Sequence, residues 1–520
     1  MLMKAFYLCV LLFVTSILYA QKPGTLDKTF GRKGRQWDTV GRYADIRAMV
    51  IQPDGKIVIG APGAYKGNTT YRVDRLLADG TPDISFGTSG SVIIPLPFSN
   101  KKSKAYVTYL ALTADGKILA GGNSSYIVKL TTKGVVDSSF GTNGLTQLYI
   151  GNYGNAMLVQ PDGRFVIGGN TFINNETSRV VLQRFLPNGN PDITFGDSGA
   201  IRERYGQISA LALLPNGKIV AAGFSGDAYR GSLKFLIERY NTNGKLDKTF
   251  SGDGVVDTAV VPNTCYITDL AIQPDGKILV SGGTYVEPGY PHFTVARYNK
   301  NGSIDTSFGT GGLAITLFPA NSGGDLAQAD KVMLWNDKII AAGYNDVSSF
   351  YNHSDLALVS YNTNGTLDSS FGNNGVQHAN YEYNEFTGSA ALQPDGKIIL
   401  LGLGRDEDQT YEVRNLLRYN GYPAQPLATA SEKDHQSIPA IAPSLRMYPN
   451  PASDYITITG LPANAQSTIT ITDGLGKAIA LYSTTNTAQY KVDVSKLTAG
   501  IYYARVQANG KREVLKFVKE

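Results

Sequence analysis

Residues 268–312 carry three short apolar runs, Leu270–Gln273, Ile278–Val280 and Phe293–Tyr298, and a fourth run follows Gly312. Each is of strand length and each is bounded by turn residues. Pro274-Asp275-Gly276 joins the first two. Proline presets one φ, the aspartate caps locally, and glycine takes the left-handed position. Asn301-Gly302 closes the third run, and Asp305, Phe308, Gly309 and Gly312 mark a further loop. The pattern predicts a four-stranded antiparallel unit.

The unit recurs about every 50–60 residues. The first turn reappears at Pro53-Asp54-Gly55, Ala114-Asp115-Gly116, Pro161-Asp162-Gly163, Pro215-Asn216-Gly217, Asn336-Asp337 and Pro394-Asp395-Gly396. A basic residue follows each (Lys56, Lys117, Arg164, Lys218, Lys277, Lys338, Lys397). The second loop also occurs seven times, with Asp27, Asp83, Asp137, Asp192, Asp247, Asp305 and Asp368 three residues ahead of a phenylalanine. Each such loop offers one carboxylate, whereas calcium wants a dense oxygen cluster. The aspartates therefore read as turn caps and the phenylalanines as plugs between units. A third position, Arg75, Lys129, Arg184, Arg239, Arg297 and Arg418, is basic except at Ser360. A pair between this cation and a loop aspartate fits.

Repeats of this length with four short strands predict propeller blades, stacked in a ring that buries both faces of each. An open array of β units is the competing arrangement. The run "apolar strand, PDG, apolar strand, variable loop, RY strand, NG, D-x-x-FG" resembles the delta-60 repeat of bacterial secreted proteins and, more loosely, the NHL propeller repeat. The resemblance implies that the strand before the Asp-Gly turn is innermost. Leu270–Gln273 then becomes strand A, Ile278–Val280 B, Phe293–Tyr298 C and Leu313–Leu317 D. In that phase the chain opens on a D-type element, Leu26–Val40, and the last unit ends after its C strand at Tyr419. The expected fold is all-β: a seven-bladed β-propeller over residues 21–422, closed by an N-terminal strand.

The repetitive A–B and C–D loops share one face. The B–C and D–A loops, variable in length and sequence, share the other, and variable loops on one rim are where binding usually resides. Tyrosines gather on that face, and tyrosine offers a flat apolar surface with a hydroxyl, suited to sugar rings or protein surfaces. The candidate ligand-binding residues are Tyr285, Tyr290, His292, Tyr344, His353, Tyr381, Tyr383 and Tyr411. With 31 tyrosines in the chain, general composition is the competing explanation.

The termini speak of export. Lys4, the apolar run Ala5–Leu18 and Tyr19-Ala20 before Gln21 form a signal peptide, residues 1–20. No other run reaches membrane-spanning length, so no transmembrane anchor is expected. Residues 423–444 form a Pro/Ala/Ser-rich linker. Short alternating strands over 445–520 predict a small Ig-like β-sandwich. There Tyr448-Pro449-Asn450-Pro451-Ala452-Ser453-Asp454, Gly474-Leu475-Gly476-Lys477 and the run Asp493 to Tyr502 through Gly500 resemble the type A C-terminal sorting domain of the type IX secretion system. The resemblance implies passage through the periplasm to the outer surface or the medium, with the secretion machinery as partner and Pro449, Asn450, Pro451, Gly500 and Tyr502 as sorting-motif residues.

Composition narrows the chemistry. The net charge is +5, from 48 basic and 43 acidic residues, without a long basic run. Nucleic-acid binding is therefore not expected. Cys9 leaves with the signal peptide, and Cys265 cannot form an internal disulfide. No GxSxG, HExxH, P-loop or CxxC motif appears, and no cofactor or metal is expected. His292, His353 and His378 fall in one sector of the variable face, the one histidine grouping compatible with a metal or acid–base site. Asp406, Glu407, Asp408, Glu382 and Glu385 supply carboxylates there. The expected function is a non-catalytic binding module for glycan or protein. A polysaccharide hydrolase or lyase working at the variable face, and a structural adhesion component, are the alternatives.

Overall fold

A computed structural model describes residues 21–41, 46–65, 68–97, 105–148, 153–172, 178–226, 233–261, 264–286, 290–318, 326–346, 354–381, 383–405, 412–422, 446–448, 452–459, 461, 466–473, 478–485, 487, 489–498, 500–508 and 511–519. Residues 1–20 and 423–444, expected above to be signal peptide and linker, lie outside these. The chain divides into two compact units, 1–427 and 428–520.

The first unit consists of antiparallel four-stranded sheets in simple sequential order. In the fifth, Cys265–Ile272, Ile278–Val286, Tyr290–Tyr298 and Leu313–Thr316 serve as strands A to D. The third and fourth sheets share one long strand, Ala200–Leu213, which is D of one and A of the next. The A strands of successive sheets touch in a closed cycle, the seventh, Tyr383–Leu392, returning to the first, Met49–Ile51. The ring closes through the N-terminus: Arg35–Gly41 pairs antiparallel with Glu412–Tyr419 as the outer strand of the last sheet. Arg414 reinforces the closure. Its guanidinium grips Asp38 through two bonds of 2.8 Å and reaches Asp74 of the first unit at 2.7 Å.

The strands run longer than the apolar runs suggest. The B–C hairpin of unit 5 continues to Val286 and Tyr290, so Tyr285 and Pro291 are strand partners and not loop residues. The A strand begins at Cys265, and a β-bulge between Ile267 and Asp269 interrupts its alternation. The extra residue hides the first half of the strand from a period-two reading. Cys265 is fully buried in the apolar layer between sheets.

The repeated polar residues form a clamp around the loop aspartate in most units. Arg297 Nε donates to Asp305 Oδ2 at 2.7 Å, and Lys277 reaches the same oxygen at 3.0 Å. The other oxygen, Oδ1, accepts from the amide and hydroxyl of Ser307. The Arg297 guanidinium stacks 4.6 Å from the Phe308 ring and donates to the Thr363 carbonyl of the next unit. Phe308 in turn fills the space beside Gly365, whose φ of +86° lies in the left-handed region. Arg75–Asp83, Arg184–Asp192 and Arg239–Asp247 repeat the pair. In the last unit Arg418 reaches Asp27 across the chain ends at 2.9 Å. These aspartates are thus held by cations and turn amides as parts of the scaffold.

The C-terminal unit has a three-stranded sheet of Arg446–Tyr448, Tyr455–Thr459 and Gln489–Asp493. Its second sheet has four strands in the order Ala478–Thr485, Gln466–Asp473, Gly500–Ala508 and Lys511–Lys519. Ile456, Ile458, Ile469, Val492, Val506 and Phe517 form its core. Gly500 opens a strand, while Tyr502 is buried, stacks on Phe517 at 5.6 Å and donates to the Thr498 carbonyl at 2.9 Å. Pro449, Asn450 and Pro451 lie outside the described residues.

Candidate functional site

The bulge of unit 5 is not isolated. Units 2 to 7 each carry one in the A strand, at Thr108, Asn155, Ser209, Thr268, Asp330 and Gly388. In unit 1 Arg47 stands at the same distance from the A–B turn. All seven line a central cavity of about 600 Å³ within the ring of A strands. A bulge leaves one residue outside the ladder and re-aims its side chain, and here every inner strand gives that residue to the channel. Neighbouring strands are also stitched there: Thr268 Oγ1 donates to the Ala329 carbonyl at 2.6 Å, and Asn155 Nδ2 to the Ile208 carbonyl at 3.1 Å.

Two positions in this ring are ionisable. Asp330 accepts from Gln328 Nε2 through Oδ1, and Gln328 Oε1 accepts from the Tyr266 hydroxyl at 2.5 Å. Asp330 Oδ2 is buried without a hydrogen-bond partner. Burial raises the Asp330 pKa to about 7 against the opposing pull of Gln328, Arg47 and Lys331, and nearby Asp269 adds to the rise. Asp269 itself accepts from the Val332 amide at 3.1 Å and pairs with Lys331 at 3.7 Å. Arg47 is exposed in the channel wall.

An aromatic arc adjoins these polar groups. Tyr266 lines the cavity, and its ring lies 6.5 Å from that of Tyr285. Burial first, then the neighbouring Tyr344 and Tyr285, push the Tyr266 hydroxyl's pKa far up, keeping it protonated as a donor. Tyr344 packs edge-on against Phe386 at 5.0 Å, and Phe386 is exposed. Of the candidate residues, Tyr285 and Tyr344 therefore come together with Tyr266.

The other candidates are placed differently. His292 pairs in the ladder with Thr284, and it is buried. Tyr381 lies under the Arg35 guanidinium at 4.8 Å, and its amide donates to Glu385 Oε2 at 2.9 Å. Tyr290 and Tyr383 occupy strand positions opposite Val286 and Arg405. His353, Tyr411 and Asp406 to Asp408 lie outside the described residues. His378 bonds Asn345 at 3.0 Å and packs on Phe318, and burial lowers its pKa. Among the described residues no group of three histidines, cysteines or carboxylates is arranged for a metal ion.

The channel ring is what sequence reasoning missed. The signal was present: seven residues, each six before the residue that opens the A–B turn, read Arg, Thr, Asn, Ser, Thr, Asp and Gly. This position is polar or glycine in all seven units.

With this geometry in hand, the comparisons with known proteins are informative about the repeat and the tail. The family model described as "Domain of unknown function (DUF5122) beta-propeller" matches residues 52–86, 113–140, 160–195, 214–250, 273–308 and 336–371. The model described as "Secretion system C-terminal sorting domain" matches 446–520. This is a repeat β-propeller protein with a secretion-system sorting tail. Each propeller match runs from an A–B turn to the phenylalanine of the following loop. The seventh such segment is split between the two ends of the propeller, Gln393–Asn420 and the D-x-x-F of Asp27–Phe30. The sorting tail sends the protein through the type IX secretion system to the cell surface or the medium. No described helix is long and apolar enough to cross a membrane.

A comparison with curated proteins finds no match. Among solved structures, Sqt1 of Chaetomium thermophilum aligns at 11% identity and a TM-score of 0.39, covering 74% of this chain and 98% of that one. A PL25 polysaccharide lyase, an ulvan lyase bound to -[GlcA(1-4)Rha3S]-, aligns at 10% identity and a TM-score of 0.41, covering 77% and 95%. An endo-arabinase from Bacteroides thetaiotaomicron aligns at 13% identity and a TM-score of 0.29, covering 52% and 93%. At such scores none of them bears on function.

Proposed function

We propose that residues 21–422 form an exported, non-catalytic binding module that takes a glycan at the mouth of the central channel. Residues 423–444 then act as linker and 445–520 as the export tail. The observation that carries this reading is the aromatic arc of Tyr266, Tyr285, Tyr344 and Phe386 beside a ring of hydroxyl and amide side chains. Sugars present apolar faces edged with hydroxyls, and a pocket with both kinds of surface suits them. The cavity volume falls within the range of small-ligand sites.

A hydrolase is the rival reading, and it would draw on the closeness of Asp330 and Asp269. Glycoside hydrolysis needs two carboxyl groups flanking the bond. Asp269 is already held by Lys331 and the Val332 amide, which favours binding over cleavage.

A glycan array probed with the mature protein and its Tyr266→Ala and Tyr344→Ala variants tests the proposal, alongside a reducing-end assay on every glycan retained. Binding that weakens about tenfold or more in both variants, without new reducing ends, supports it. Cleavage of a retained glycan would favour the hydrolase, and silence of the wild-type protein across the array would remove the glycan reading.

A further inference from the structure

The chain has 2 tryptophans, and Trp37, on the closing strand of unit 7, leaves half its surface in solvent. Its register partner is Asn415, and that of Arg35 is Leu417, which packs with Ile340 and Leu356 of unit 6. Alternation along a strand therefore turns Arg35 and Trp37 towards the junction of units 6 and 7. Tyr381, in the segment between the last strand of unit 6 and the first of unit 7, meets them there. The Arg35 guanidinium lies 5.6 Å from the Trp37 ring and 4.8 Å from that of Tyr381, which is also exposed.

This platform is fixed in place. Arg35 Nε donates to Asn415 Oδ1 at 2.8 Å, and Asn415 Nδ2 donates to Glu385 Oε1 at 3.1 Å. Glu385 is fully buried, and its other oxygen takes the Tyr381 amide at 2.9 Å. Side chains locked in this way bind without a large ordering cost. Glu385 also directly precedes Phe386, the exposed member of the aromatic arc. One buried carboxylate thus ties the aromatics of the channel mouth to Trp37 and Tyr381. Phe386 stands in the innermost strand of unit 7 and Trp37 in the outermost, three strand spacings or roughly 14 Å apart.

We infer that the ligand is a polysaccharide held along its length, with consecutive sugars running from the channel mouth over Phe386 to Tyr381 and Trp37. This rests on the glycan reading above and names the class: a polymer recognised through its internal residues, not a terminal sugar. The span exceeds the width of a single pyranose ring. Each exposed ring offers a flat apolar surface to the apolar face of a sugar. Rings set out from the inner to the outer strand suit the repeated faces of a sugar chain, whereas a protein partner fills a broad patch.

The test is calorimetric titration of the mature protein with β-1,4-linked gluco-, manno- and xylo-oligosaccharides and α-1,4-galacturonides, each as disaccharide, tetrasaccharide and hexasaccharide. In at least one series the hexasaccharide should bind about tenfold or more tightly than the disaccharide. Trp37→Ala and Tyr381→Ala should each remove most of that gain and leave the disaccharide affinity within about twofold of wild type. Trp37→Phe, which keeps a ring, should retain most of it. Tyr266→Ala, at the channel mouth, should weaken short and long chains alike.

Equal affinity for disaccharide and hexasaccharide in every series that binds would overturn this inference while leaving the glycan reading standing. A length dependence that survives in both Trp37→Ala and Tyr381→Ala would also overturn it, and is the outcome expected of a protein-docking face. Failure of every sugar to bind would remove both readings. Urea midpoints of the variants separate a folding defect from a binding one. Tyr381 bonds Glu385 through its amide and not its ring, so Tyr381→Ala keeps the test decisive even if Trp37→Ala weakens the closing strand.

Discussion

The hydroxyl of Tyr422 donates to the carboxylate of Asp368 at 2.5 Å, in the place where units 1, 3, 4, 5 and 7 bring an arginine to the loop aspartate. The arginine position of unit 6 is Ser360, whose Oγ lies 2.6 Å from the same hydroxyl. The substitution follows from the ring. In units 1, 3, 4 and 5 the arginine also donates to a turn carbonyl of the next unit, as Arg297 does to Thr363. Unit 6 meets unit 7, where that turn is replaced by two passing segments, residues 22–24 and 420–422. Gly24 takes the place of the turn glycine against Phe371, and Tyr422 stacks on Phe371 at 5.9 Å.

Tyr422→Phe should therefore destabilise the propeller. It removes one charge-assisted hydrogen bond to a buried carboxylate and strands the Ser360 hydroxyl. The expected cost is about 1–3 kcal/mol, seen as a lower urea midpoint at unchanged slope. An unchanged midpoint would show that Lys338, 3.1 Å from Asp368, holds the junction without help.

Within one clamp the two cations should count unequally. The Arg297 side chain is 7% exposed and that of Lys277 is 30% exposed. Arg297→Ala leaves a largely buried carboxylate short of its main partner and opens space against Phe308, which should cost about 3–5 kcal/mol. Lys277→Ala removes a solvent-screened partner and should cost about 1 kcal/mol or less. Urea unfolding of the two variants measures the difference. Comparable losses would mean that the stacked guanidinium adds nothing beyond its charge.

The same residues show how much of the fold was legible. The PDG turn, the D-x-x-F loop and the RY strand each carry a local physical requirement: a left-handed glycine, an Asp-capped turn, a cation beside a carboxylate. Such requirements recur in sequence, so the repeat could be read directly, while its phase and the N-terminal closing strand came through the resemblance to known propeller repeats. The channel could not, because its residues sit at bulges that break the alternation used to assign a side chain to a face. Tyr285 and Tyr344 were named as candidates through the variable face, and they are strand residues in an aromatic arc whose inner member, Tyr266, lies in an A strand. Ser360 looked like a defect in the repeat, since its replacement Tyr422 lies 62 positions further on.

Acid should unfold the propeller through its loop aspartates. Burial opposes ionisation of Asp27, but Thr29, Lys397 and Arg418 outweigh it and hold the pKa at about 2. Asp137 is held at about 2 by Ser139 and Lys117. Asp368 reaches about 2 because Tyr422, Ser370 and Lys338 outweigh its burial. Asp247 and Asp305 are lowered further. A carboxylate whose pKa falls on folding stabilises the native state above its unfolded value of about 3.9 and loses that contribution as pH falls through the folded value. The urea midpoint should therefore drop steeply from about pH 4 to pH 2. A midpoint that stays level across that window would contradict the depressed values.

Asp330 should act in the opposite sense, which makes it separable. Its folded pKa of about 7 lies above the unfolded value, so folding favours its protonated form. Its contribution is most favourable below about pH 4, declines as pH rises towards 7 and is level beyond. Asp330→Asn replaces the acid with a neutral group of the same shape that can still accept from Gln328. At pH 4 wild type and variant should unfold at the same urea concentration. At pH 8 the variant should be more stable, by up to about 4 kcal/mol, because the wild type must then hold a buried carboxylate with one unpartnered oxygen. If the gap between the two proteins is the same at pH 4 and pH 8, Asp330 ionises as an ordinary surface carboxylate.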